Sequence, residues 1–253
     1  MARRIIRAEK ASAAADVSRV AAGREASGRD AGNEAPGKYV YCVIVSSPGL
    51  EEMKPKSFGN LGFGGSEVYT MQYRGLYPVV SDVVYRDYAV NEKEIEVHRN
   101  VVQQVMAEHS VIPVAYGMAF KSKKLLQVAM SAGYAAMQKA VGVVDGKVEL
   151  GIKVFLPKDR ENMSQEEREK CRQDFQDSLQ RLSAGSKALS LFSSRLIINS
   201  TFLVERSGID RFSDEVGRLT DRYSQLKVQY SGPWPAYNFV DIHILGGKRR
   251  GFR

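Results

Sequence analysis

Runs of apolar residues and regular apolar–polar alternation divide the chain into predicted strands and helices. The unbroken run from Tyr39 to Val45 predicts a buried strand, and strict alternation from Val148 to Leu156 predicts a strand covered on one face. Asn91 precedes apolar residues at helical spacing and forms a predicted capping box with Glu94. The remaining predicted strands are 68–73, 76–84, 111–114, 196–205, 226–230 and an edge strand at 239–245; the remaining predicted helices are 124–141, a charged helix capped by Ser164 and Glu167 that ends at Leu182 or Ser190, and one through Phe212, Val216, Leu219 and Tyr223.

The order of these elements predicts an α+β protein of two domains. We place the boundary near the Asp145–Gly146 turn, which gives an N-terminal α+β domain at 38–145 and a C-terminal domain at 146–245. From residue 147 the order is strand, helix, strand, helix, strand. That order favours a ferredoxin-like plan for the second domain, in which the sheet carries its helices on one face.

Both ends of the chain differ in composition from the body between them. Residues 1–37 are rich in Ala, Arg, Ser and Gly and contain no aromatic residue, so we expect a disordered extension. Residues 246–253 form a basic tail with four Lys/Arg and no acidic residue. Of the formal net charge of +8, the tail holds +4 and the extension +2, which leaves +2 for the body. A nucleic-acid-binding fold concentrates positive charge on one folded face, so we expect no nucleic-acid partner.

The apolar content gives no sign of a membrane protein. No run approaches the roughly 20 apolar residues that a membrane span needs, and the N-terminus lacks the apolar region of a signal peptide. We therefore expect a cytoplasmic protein with no membrane partner. Cys42 and Cys171 match no metal or redox spacing, and free thiols are expected for both.

The sequence contains no constellation that predicts catalysis, a metal site or a bound cofactor. His98 follows Glu94 by one helical turn, which predicts an ordinary hydrogen bond that is either at the surface or partly buried. Glu149 and Lys153 share one strand face and are expected to meet solvent or a helix. The glycine-rich stretch 58–65 lacks the Gly-Lys-Ser/Thr of a phosphate-binding loop and favours a flexible surface loop. We therefore expect a protein that is not an enzyme.

The stretch 230–240 is the most distinctive part of the sequence. Trp234, the single tryptophan, lies between two prolines, which predicts a stiff extended turn that ends the preceding strand. Burial in a core is the common fate of such an aromatic residue. A preorganised aromatic surface for a partner is the alternative, because Trp and Tyr dominate interface hot spots. On that alternative, the candidate partner-binding residues are Trp234, Tyr237 and Phe239, with Tyr230 as a flank.

Seven short segments of the sequence occur in the same order in one protein family. The most specific is Gly-Pro-Trp-Pro-Ala-Tyr-Asn-Phe-Val at 232–240, which resembles the Gly-Pro-Trp-Pro-Pro-Tyr-x-Phe-Val signature of the gas vesicle protein F/L family (GvpF/GvpL). The other six segments are 39–41, 80–83, 96–102, 111–117, 146–154 and 197–205. The resemblance covers roughly 38–245. Ala236 replaces a second proline of the family pattern, and Ala115–Tyr116 replaces an Arg-Phe pair, so no role of that arginine carries over.

The resemblance implies a protein of the gas vesicle, inside the cytoplasm. It implies a minor structural or assembly component that binds the small hydrophobic shell protein and accessory vesicle proteins. It also implies two α+β domains, the second ferredoxin-like. Because ferredoxin-like folds support many functions, a ligand-binding or enzymatic α+β protein remains an alternative. An RNA-binding sheet is a third hypothesis, which the nearly neutral body disfavours.

Overall fold

The computed structural model of the protein describes residues 36–45, 53–158 and 163–240. The predicted disordered extension, the basic tail and nearly all of the predicted edge strand at 239–245 lie outside these residues. Within the described part of the chain, no helix combines the length and apolar character that a membrane span requires. The same residues contain no group of three or more His, Cys, Asp or Glu side chains placed to hold a metal ion.

The first half of the described chain forms a six-stranded sheet with two helices. Its elements are β1 (Gly37–Val45), β2 (Ser57–Gly59), β3 (Val68–Thr70), β4 (Leu76–Val83), α1 (Glu92–Glu108), β5 (Val111–Pro113), β6 (Ala119–Phe120) and α2 (Lys123–Val144). The strand order is β2-β3-β4-β1-β5, and β6 also pairs with β1. Every pairing in this sheet is antiparallel.

The two helices of the first half pack on opposite faces of this sheet. α1 begins after Asn91, whose side chain accepts hydrogen bonds from the amides of Lys93 and Glu94. The cap is only half of the predicted box, because the Glu94 side chain instead contacts Arg86 and Tyr116. The buried side of α1 joins the cluster that contains Tyr39 and Tyr41, whereas α2 joins the cluster on the other face of β1. A bulge in β1 changes the alternation between these two faces.

The second half forms a four-stranded antiparallel sheet. Its elements are β7 (Lys147–Phe155), α3 (Gln165–Gln180), β8 (Gly185–Ala188), β9 (Leu196–Glu205), α4 (Ile209–Arg222) and β10 (Lys227–Trp234), in the strand order β10-β7-β9-β8. The capping box of Ser164 and Glu167 is present. α3 and α4 bury Phe175 and Phe212 against the side of the sheet formed by alternate residues of β7. The α+β class predicted from the sequence is correct.

Three sequence-based expectations are wrong in this part of the structure. The helix after Ser164 ends at Gln180, and the segment expected to extend it contains β8, paired with β9. The glycine-rich stretch, expected as a flexible surface loop, begins within β2 and packs Phe58 and Phe63 against the buried cluster. The strand before Trp234 does not end at Tyr230 but runs to Trp234.

Hydrogen bonds and shared buried side chains connect the two sheets. The Arg206 guanidinium, at the end of β9, donates to the carbonyl oxygens of Met106 (2.6 Å) and His109 (3.2 Å), at the C-terminal end of α1. The Arg206 amide donates to the carbonyl of Gly146, whose own amide donates to the hydroxyl of Ser110. Both buried clusters contain residues of both sheets. The two halves of the described chain are therefore joined by hydrogen bonds and by shared buried side chains.

Candidate partner-binding surface at the C-terminal turn

β10 continues through Pro233 to Trp234 because it lies at the edge of the sheet. Pro233 has no amide hydrogen, and an edge strand has a side on which none is needed. Ser231 pairs with Gly151, and pairing resumes at Trp234 opposite Glu149 after a bulge. Gly232 has φ 121°, and a Cβ there would lie 2.9 Å from the carbonyl oxygen of Glu149. Only glycine fits this position, so the bulge that sets the direction of Trp234 depends on it.

The four candidate residues do not all lie on one face of the sheet. Tyr230 pairs with Ile152, and its ring lies 6.2 Å from that of Phe212 on α4, so Tyr230 belongs to the helix-covered face. Trp234 pairs with Glu149, which alternates with the buried residues of β7 and so points to the opposite face. The flank residue Tyr230 is thus separated from Trp234 by the thickness of the sheet.

The segment 235–240 lies across this second face. Trp234, Glu149, Leu203 and Gly185 form one cross-strand row from β10 to β8. Over the row, the amide and side-chain nitrogens of Asn238 donate to the Glu149 carboxylate at 2.9 and 2.5 Å. Glu149 is therefore buried under the segment, and the expectation that it meets solvent or a helix is wrong.

Phe239 and Tyr237 take different positions along this row. The ring of Phe239 comes within 3.6 Å of where a Cβ on Gly185 would lie, and the Lys187 ammonium is 5.6 Å from its centroid. Trp234 and Phe239 are therefore at opposite ends of the row, three strand spacings or roughly 14 Å apart. Tyr237 lies on the outer side of the segment and is 42% exposed. Desolvation of the covered part of this side chain raises the pKa of the Tyr237 phenol.

Trp234 is neither fully buried nor free. Its side chain has intermediate exposure, and it is not part of either buried cluster. Pro235 and Ala236, which follow it, are buried. The arrangement brings Trp234, Tyr237 and Phe239 onto one side of the sheet as partly exposed aromatic residues on a hydrogen-bonded support.

Replacing Glu149 with Gln is expected to loosen this support. The amide keeps one acceptor for Asn238 but loses the charge-assisted character of two hydrogen bonds, which costs about 1–2 kcal/mol in the free energy of unfolding. Hydrogen exchange of the Asn238 amide should become faster in the variant. Glu205→Gln, which changes an exposed carboxylate paired with Lys147, is the matched control and should leave that amide unchanged. Equal exchange rates in the two variants would contradict the role of Glu149.

A second cluster of functional groups, which sequence reasoning missed, surrounds His98 in the first sheet. His98 is 3% exposed, and its Nε2 lies 3.1 Å from the carbonyl oxygen of Val114, which can only accept. Nε2 therefore carries the proton, and Nδ1 accepts from the Tyr39 hydroxyl at 3.0 Å. The same hydroxyl accepts from the Gly117 amide at 2.9 Å. The predicted hydrogen bond between His98 and Glu94, at the surface or partly buried, is wrong, because His98 bonds to Tyr39 and Val114.

The pKa shifts around His98 are those of groups that stabilise the fold. Burial lowers the pKa of His98 to about 4, so the imidazole is neutral at neutral pH. The hydrogen bond from Tyr116 and the neighbouring Arg86 hold the pKa of Glu94 below its usual value.

The two cysteines lie outside this cluster. Burial raises the pKa of the Cys42 thiol, and it raises the pKa of the Cys171 thiol to about 11, so neither thiol is an activated nucleophile.

Comparison with known proteins gives the family of the chain. A family model described as "Gas vesicle synthesis protein GvpL/GvpF" matches residues 37–164 and 156–241. The chain belongs to the GvpL/GvpF family. Gas vesicle protein F1 of Halobacterium salinarum is 37% identical over 193 residues, which are 75% of this chain and 89% of that protein. Gas vesicle protein F of Haloferax mediterranei is 36% identical over 192 residues, 74% of this chain and 88% of its own length.

Solved structures of GvpF proteins share the fold. The crystal structure of GvpF from Anabaena sp. PCC7120 covers 82% of this chain and 99% of its own, with a TM-score of 0.70 at 18% identity. That of GvpF from Microcystis aeruginosa covers 81% and 99%, with a TM-score of 0.68 at 16% identity. The family resemblance seen in the seven sequence segments is therefore correct, and this GvpL/GvpF member has a role in gas vesicle formation.

Proposed function

We propose that the protein is a minor structural or assembly component of gas vesicles that binds the small hydrophobic shell protein. The contact surface is the aromatic row of Trp234, Tyr237 and Phe239 on the second face of the four-stranded sheet. The observation that carries this proposal is the attachment of the 235–240 segment to the sheet through Asn238 and Glu149. It holds partly exposed aromatic side chains in place before any partner arrives, which lowers the entropy cost of binding.

The chemistry of this surface suits an apolar partner. A shell monomer that is to polymerise with a gas-facing apolar side must be shielded from water and from other monomers until it is incorporated. Aromatic side chains provide a large apolar contact area with little rotamer entropy to lose. Lys187 lies over Phe239 at the rim and gives the surface a polar edge. Accessory vesicle proteins are further proposed partners.

The proposal extends to the supporting residue, the location and the architecture. Tyr230 packs on Phe212 behind the sheet, so its contribution is to support β10 and not to contact the partner directly. The protein acts at the gas vesicle within the cytoplasm and is not an enzyme. The order β7-α3-β8-β9-α4-β10 supports a ferredoxin-like second domain, following a separate first domain.

Trp234→Ala is expected to weaken shell-protein binding at least about thirtyfold, because truncating a hot-spot tryptophan costs on the order of 2 kcal/mol or more. The measurement is a pull-down of shell protein co-expressed with the tagged chain, washed at low and at high salt. Binding by the unmodified chain should survive the high-salt wash, since apolar contacts are not screened.

The matched control for this experiment is Phe192→Ala. Phe192 is an exposed aromatic residue beside Lys153, outside the 235–240 segment, and its truncation should leave binding unchanged. Thermal unfolding of each variant separates a binding defect from a folding defect. Full retention of shell protein by a folded Trp234→Ala variant would refute the proposed surface, as would an equal loss with Phe192→Ala.

A further inference from the structure

Helix α2 has an exposed apolar face beside its buried one. Leu125 and Val128 are 48% and 58% exposed, and small exposed residues continue the same line along the helix. Because each helical residue is rotated about 100° from the last, these positions fall on one stripe about 100° wide. We call this stripe, which consists of Leu125, Val128, Ala132, Ala135 and Ala136, the α2 outer face.

A second pair of exposed apolar residues lies where α2 begins. Val84, just after β4, is 89% exposed, and the neighbouring Tyr85 is also exposed. The Lys121 ammonium is 5.4 Å from the centroid of the Tyr85 ring. A Cβ on Gly37 would lie 3.2 Å from Cβ of Tyr85 and 2.9 Å from the carbonyl oxygen of Phe120. Tyr85 therefore lies at one end of the first sheet, close to the residues that lead into α2.

This end of α2 carries a cluster of positive charge. Lys121, Lys123 and Lys124 are all exposed, and the first turn of the helix has no acidic residue. Among the described residues, no ion pair joins these lysines to a carboxylate. The helix dipole is positive at the N-terminus, so each lysine there is unfavourable by a few tenths of a kcal/mol. A partner carboxylate would relieve this cost.

We propose that the α2 outer face, together with Val84 and Tyr85, docks an amphipathic helix of a partner protein that carries carboxylates beside its apolar residues. The alanines in the middle of the stripe allow a second helix to approach closely, while Leu125 and Val128 provide larger contacts at one end. From Leu125 to Ala136 the stripe is about 17 Å long, which matches three turns of a helix. This surface contains none of Trp234, Tyr237 and Phe239 and is separate from the proposed shell-protein contact.

The test uses two fluorescein-labelled amphipathic helical peptides of 18 residues with identical leucines. One has Glu at the positions that flank the leucines, and the other has Lys there. Fluorescence anisotropy with the full chain should show binding of the Glu peptide, weakened by salt, and at least about tenfold weaker binding of the Lys peptide. Val128→Glu and the triple change of Lys121, Lys123 and Lys124 to Gln should each weaken the Glu peptide about tenfold, while Trp234→Ala should not affect it.

Several results would overturn this inference. They are no binding of the Glu peptide, equal binding of the two peptides, or binding unaffected by Val128→Glu in a variant whose circular dichroism is unchanged. Tighter binding of the unmodified chain to phosphatidylserine vesicles than to the Glu peptide, lost in Val128→Glu, would assign the surface to lipid. A dimer of the chain alone that Val128→Glu dissociates would assign it to a second copy.

Discussion

Tyr39→Phe is expected to lower the free energy of unfolding by about 3 kcal/mol. The substitution keeps the ring, which packs against Tyr41, Phe63 and Tyr88, and removes only the hydroxyl. That hydroxyl is the single link between the Gly117 amide and Nδ1 of His98. Its loss leaves a donor and an acceptor without their partner, and each unsatisfied buried group costs about 1–3 kcal/mol.

Chemical denaturation of the purified variants measures this effect. The comparison variant is Tyr41→Phe, which removes a hydroxyl one pleat away that is bonded to the Ser81 hydroxyl at 2.9 Å and to the backbone of Phe63. Because the Ser81 hydroxyl can rotate and Phe63 is only partly buried, this loss should cost less, about 1–2 kcal/mol. Equal losses of stability in the two variants would show that the hydrogen bonds joining Gly117, Tyr39 and His98 contribute no more than those of the Tyr41 hydroxyl.

The second large effect is a loss of stability in acid caused by His98. The pKa of His98 is about 4 in the folded protein and about 6.5 in the unfolded chain, mainly because burial disfavours the imidazolium. The unfolded state therefore binds the additional proton as the pH falls. The contribution to stability is complete above pH 6.5 and decreases towards pH 4, by about 3 kcal/mol in total.

Denaturation midpoints of the unmodified chain and of His98→Gln, measured between pH 7 and pH 4, test this prediction. The glutamine variant does not titrate, so the difference in stability between the two proteins should shrink as the pH decreases. His109→Gln is the control, because His109 is partly exposed and its pKa is lowered by burial and by Lys56. It should change the pH profile less. Parallel profiles for the unmodified chain and His98→Gln would contradict the prediction.

Helices and strands whose apolar residues recur at a regular spacing could be predicted from the sequence. Strands that form only because a neighbouring strand pairs with them could not. The alternation of β7 and the capping box before α3 both reflect local residue choice, and both are present in the structure. β8 consists of Gly-Ser-Lys-Ala, which has low strand propensity. It is a strand because β9 supplies the hydrogen-bonding partner, and β9 follows it only after a loop.

The same limit of sequence-based prediction applies to the candidate partner-binding residues. The Pro-Trp-Pro pattern identified 230–240 as a distinctive segment, but a one-dimensional pattern does not show that the strand resumes after a bulge. It also does not show that Glu149, 89 residues before Asn238, holds the segment in place. Likewise, the partner of His98 is Tyr39, 59 residues away, and not Glu94 one turn earlier. Contacts between distant parts of the chain decided these outcomes.

The hydrogen bonds of Arg206 to the end of α1 have a mechanical consequence. They join a helix of one sheet to a strand of the other, beside the Gly146 turn where a hinge would otherwise be expected. Bending at that turn would break the hydrogen bonds of a half-buried guanidinium to two helix carbonyls at once. If both proposed surfaces are occupied, a partner helix on α2 and a shell monomer near Trp234 would be held at a single distance and angle. The chain would then set the spacing between the two molecules that it joins.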